Sequence, residues 1–67
     1  MKDYQERVVK ERNEVRDRLN KLMGFIRSEE CKALGRAEGK RLLRQMQIMT
    51  LYMEVLDERI EYFEEIK

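Results

Sequence analysis

Proline and histidine are absent from these 67 residues, cysteine occurs once and glycine three times. Each scarcity removes a possibility. Without proline and with so few glycines, the chain has few places to break a helix. A lone thiol, Cys31, cannot close an intramolecular disulfide, and without histidine it leaves no ligand set for a structural zinc. No apolar run reaches the roughly 18 residues of a membrane span, and none looks like a secretory leader, so the chain is expected in a cytosol with no membrane partner. Catalytic signatures are missing too. There is no metal-ligand cluster, phosphate-cradling glycine loop or nucleophile elbow, so the sequence reads as a binding protein that is not an enzyme and needs no cofactor.

What is present is charge and periodicity. Charged residues make up 43% of the chain, and the apolar residues are gathered into stripes. Residues 42 to 66 carry two of them. Leu42, Met46, Met49, Met53, Leu56, Ile60 and Phe63 recur at alternating steps of four and three. So do Ile48, Tyr52, Val55, Arg59, Tyr62 and Ile66. Such steps put residues on one helix face, so this segment is predicted to be a helix with two faces to bury. One partner helix covers one face. A single domain of 67 residues is below the size at which one core is comfortable, and with a disulfide impossible and zinc disfavoured, self-association remains. The methionines on the first seam read as adaptable core or as a partner-binding groove. Tyr52 and Tyr62 on the second read as interface residues.

The rest of the chain supplies two more helices. The first is predicted to open on Asp3, in an Asp-x-x-Glu variant of the capping box with Glu6, and to run to about Arg27. Its stripe of Tyr4, Val8, Val15, Leu19, Leu22 and Ile26 is interrupted at Glu11 and Arg12. Either the helix bends there or its first two turns serve a different surface. A short helix from Ser28 to Leu34, capped by Ser28, comes next. Gly35 then breaks the chain and serves as N-cap of the long helix, with Glu38 placed as a capping-box acid. Gly39 weakens that start by about 1 kcal/mol relative to alanine. The expected fold is all-α: one domain over residues 1–67, a long first helix, a short middle helix and a long antiparallel C-terminal helix, assembling into a homo-oligomer.

Charge is uneven although the net is only +1. Residues 27 to 44 hold six cations against three acids, and residues 54 to 67 hold six acids against Arg59 and Lys67. These runs read as solvated surface that sets helix-pairing direction, or as a basic turn able to hold phosphates. Duplex nucleic acid is not an expected partner, because the cations form no long stripe and the acidic end would repel the backbone. Cys31, beside Glu30, reads as a half-buried structural cysteine. Tyr4, ahead of the interrupted stripe, is either a hydrophobic staple or subunit contact, or a ring free to stack on a base.

Tyr4, Lys21-Leu22 and Phe25-Ile26-x-Ser28 are followed by Leu34-x-x-x-Glu38-x-x-x-Leu42-Leu43-x-Gln45, then Met49-x-x-Tyr52-x-x-Val55-Leu56-x-x-Arg59-Ile60-x-x-Phe63. Taken together, this pattern resembles small phage proteins related to a crAss-phage protein family, which includes the phage anti-CBASS cyclic-nucleotide sponges. It departs where Gly35 replaces a polar cap before the long helix. The resemblance implies a helical protomer assembling into a hexamer. It also implies sequestration, without cleavage, of cyclic dinucleotides and possible cyclic trinucleotides made by bacterial antiviral signalling, in the host cytosol. A two-fold or three-fold interface supplies each aromatic and cation in matching symmetry. On that basis Tyr4 is the candidate for base stacking, Lys21 for a phosphate, and Gly24 for close backbone approach to ligand. Arg59 joins them because it takes an apolar seam position, with an inter-helix salt bridge as its alternative role. The competing function is a small oligomeric adaptor that binds a host or phage protein through the second seam.

Overall fold

The computed structural model describes residues 2–65. Three helices follow in order: α1 from Asp3–Ile26, α2 from Glu29–Ala33 and α3 from Arg36–Glu65. α1 and α3 pack side by side in opposite directions, with α2 at the turn.

The helix ends show which local chemistry prevailed. α1 begins one residue earlier than an Asp3 cap requires, with Lys2 in extended conformation as N-cap. The Gln5 side chain, not Glu6, reaches back: its Oε1 accepts from the Lys2 amide at 3.0 Å. Asp3 and Glu6 instead lie within the first turn, where negative charge favours the helix dipole. Ser28 caps α2 as its position predicts, with Oγ accepting from the Cys31 amide at 3.2 Å. Gly35 adopts φ +96°, a left-handed conformation that disfavours any residue with a Cβ. Its amide closes the end of α2 on Lys32, and its carbonyl accepts from Gly39 to start α3. Glu38 does not complete a capping box. Its Oε1 accepts from Arg41 Nε at 2.7 Å.

α1 runs through Glu11 and Arg12 as one helix, and its first turns face the same neighbour as the rest. Val8 and Val15 share one buried cluster with Leu56, against which Met53, Ile60 and Phe63 pack. At the break in the stripe, Arg12 reaches across to Asp57, Nε to Oδ1 at 3.4 Å. The interruption is thus a polar tie between helices rather than a change of surface. An ion pair this exposed is worth at most about 1 kcal/mol.

Every residue of the first α3 seam is buried or half-buried, and every described residue of the second is exposed. Ile66, the last residue of that second seam, lies outside the described residues. Leu56 is 1% exposed, whereas Ile48 is 61% and Val55 51%. Cys31 is fully buried rather than half-buried, filling the space beneath the turn. The resulting body measures 50 × 14 × 14 Å with a radius of gyration of 15.2 Å. A compact chain of this length would have a radius of gyration of about 11 Å. The protomer is a thin rod, and one long side of it carries uncovered apolar residues.

Candidate functional site

The antiparallel hairpin pairs each residue of α1 with one about equally far beyond the turn, so the first turn of α1 meets the last turns of α3. There Tyr4 packs edge-on against Phe63, with ring centroids 5.5 Å apart and planes at 89°. This is the favourable geometry for two aromatic quadrupoles, and it fixes the tyrosine ring without covering it. Tyr4 remains 43% exposed.

Around this pair lies an open cleft of about 480 Å³, lined by Tyr4, Val55, Glu58, Arg59, Tyr62 and Phe63. Val55, Arg59 and Tyr62 reach it because steps of four and three hold them on one face of α3, the face that does not touch α1. Arg59 makes no ion pair among the residues whose side chains are described, 2–63; Glu64 and Glu65, two of the C-terminal acids open to it on sequence grounds, lie outside them. The cleft thus combines two tyrosine rings and a guanidinium, with a carboxylate from Glu58 at its margin. Such a set can stack on a planar group and bind an anion beside it.

Of the four candidates read from the sequence, the hairpin brings Tyr4 and Arg59 together and leaves Lys21 and Gly24 apart from them. Lys21 and Gly24 lie 17 and 20 residues further along α1, about 26 and 30 Å away at 1.5 Å per residue. Lys21 is exposed. A Cβ on Gly24 would meet nothing within 4 Å, so no packing within the protomer requires a glycine there. Val55, Glu58, Tyr62 and Phe63 complete the cleft but were not among the site candidates. Hairpin register was the signal that could have found them, since it sets Tyr62 and Phe63 opposite Tyr4.

Among the described residues there is no group of three or more potential ligands for a metal, and no helix is long and apolar enough to cross a membrane. A family model described as Sequestin matches residues 2–62. No curated protein matches the chain, and no solved structure matches it.

Proposed function

The chain belongs to the Sequestin family, and from that premise we propose that it binds and holds cyclic oligonucleotide second messengers without cleaving them. In this reading it is a phage anti-defence protein. It acts in the host bacterial cytosol and blocks CBASS-type signalling by lowering the free messenger concentration. It is not an enzyme and takes no cofactor. The family's name fits a sequestering protein, and the observation that carries the reading further is the convergence of Tyr4, Tyr62 and Arg59 in one cleft on the uncovered face.

A cyclic dinucleotide offers two base faces and two phosphates. Tyr4 and Tyr62 stack on a base, contributing about 1 to 3 kcal/mol each, and Arg59 pairs with a phosphate. Lys21 and Gly24 belong to the same site only if a neighbouring copy supplies them, because no cyclic dinucleotide spans the length of α1. An antiparallel neighbour does this: it sets its own turn end, with Lys21 and Gly24, beside the Tyr4 end of the first copy. The same arrangement sets Glu54, Glu58 and Glu61 of one α3 against Arg41 and Arg44 of the next. Repetition of such pairs gives the hexamer, whose two-fold and three-fold axes suit cyclic dinucleotides and trinucleotides respectively.

A thermal-shift panel of cyclic dinucleotides and trinucleotides tests this. Binding raises the melting temperature, by about 2.7 kcal/mol of stabilisation at a hundredfold excess over Kd, and heating releases the ligand intact. Degraded ligand would make the protein an enzyme, and silence across the whole panel would end the sponge reading. The exposed apolar seam also suits an adaptor, which one stoichiometric protein partner in a pull-down and no nucleotide response would establish.

A further inference from the structure

We propose a second ligand site at the turn end of the hairpin, shaped for a phosphomonoester that carries an apolar or aromatic body. Within one protomer it lies at the opposite end of the rod from the Tyr4–Arg59 cleft, and it does not depend on what that cleft binds.

A cleft of about 440 Å³ opens where the end of α1, α2 and the first two turns of α3 meet. Ile26, Cys31 and Leu43 give it apolar walls, and Lys32, Arg36 and Lys40 bring three cations to it. The cations follow one another at steps of four across the turn. Lys32 is held by Glu29 at 3.3 Å, but Arg36 and Lys40 make no ion pair with a described residue. Unpaired cations beside apolar walls match a ligand with a dianion at one end and a hydrophobic group at the other.

Gly39 is the second observation. It lies inside α3, where glycine is less favourable than alanine. It is not in the left-handed region, since Gly35 alone has positive φ. A Cβ there would meet nothing within 4 Å. Neither turn geometry nor packing within the chain accounts for it. Its bare backbone forms part of the cleft lining, which lets a ligand come close to the main chain.

Phenyl phosphate and inorganic phosphate are the probes, followed by amide and methyl NMR shifts on the full chain. Phenyl phosphate should shift the Gly39 and Lys40 amides and the Ile26 and Leu43 methyl groups saturably. Inorganic phosphate should move the amides with about tenfold weaker affinity, for want of the apolar contact. Gly39→Ala separates function from folding: Tm rises by about 4–8 °C while phenyl phosphate affinity falls. The double variant Arg36→Gln/Lys40→Gln should lose about tenfold or more in affinity. Shifts that fail to saturate, or that persist at full affinity in both variants, overturn the proposal. So do Ile26 and Leu43 signals that move with protein concentration alone, which would mean that a second copy fills the cleft.

Discussion

Val55 and Leu56 are neighbours on α3 with opposite fates, at 51% and 1% exposure. Leu56 sits in the cluster with Val8 and Val15, so Leu56→Ala leaves a void that the surrounding helices can only partly close. It should cost about 2–5 kcal/mol, visible as a large drop in the urea midpoint. Val55→Ala should change protomer stability by no more than about 0.5 kcal/mol, since half of the residue is open to solvent and it lies outside the buried cluster. Equal costs at the two positions would refute the division of α3 into an inner and an outer face. That division was legible in the sequence because helical periodicity is local: the steps of three and four need no knowledge of the partner. Which seam faced inward was also suggested, since the first seam's methionines suit a core and Tyr52 and Tyr62 on the second suit an interface. The role of Arg12 was not legible. Its partner Asp57 lies 45 residues away, and only the packed hairpin brings them to 3.4 Å.

Element ends followed simple chemistry where one residue had a clear advantage and shifted where several competed. Ser28 and Gly35 had no rivals, and both hold the positions their residue types favour. At the start of α1, Lys2, Asp3, Gln5 and Glu6 offered alternative caps one residue apart, and the Gln5–Lys2 pairing prevailed. Gly35 and Gly39 show how the same residue type can be required in one place and dispensable to the fold in another. Gly35→Ala forces a Cβ into φ +96° and should destabilise the hairpin by roughly 1–2 kcal/mol. Gly39→Ala should stabilise it by about 1 kcal/mol, because the added methyl enters open space. Opposite signs in paired urea titrations with unchanged slopes are the expected result. If both alanines destabilise, the helical assignment across Gly39 is wrong.

At the scale of the whole molecule, surface area decides what the rod lacks. A compact monomer of 8.3 kDa exposes about 4600 Å² by the usual scaling with mass. This protomer exposes 5532 Å². The excess is similar to the roughly 800 Å² that each partner buries in a standard interface, and Ile48, Leu51, Tyr52 and Val55 supply an apolar centre for one. The candidate site was half legible for the same reason. Tyr4 and Arg59 stood out singly, as a ring and a cation in unexpected places, but their meeting depends on the hairpin and any joining with Lys21 depends on a second chain. Charge favours one direction of pairing. A parallel pair of α3 helices would set Glu54, Glu58 and Glu61 beside their own copies, whereas an antiparallel pair moves them toward Arg41 and Arg44. The chain should therefore sediment as an assembly at micromolar concentration, with a Tm that rises with concentration. Leu51→Glu, outside the cleft lining, buries a charge at the centre of that interface. It should sediment as a protomer whose Tm no longer depends on concentration, and it should lose cyclic-nucleotide binding even though Tyr4 and Arg59 are intact. Binding that survives in the dissociated protomer would confine the site to one chain and remove Lys21 and Gly24 from it.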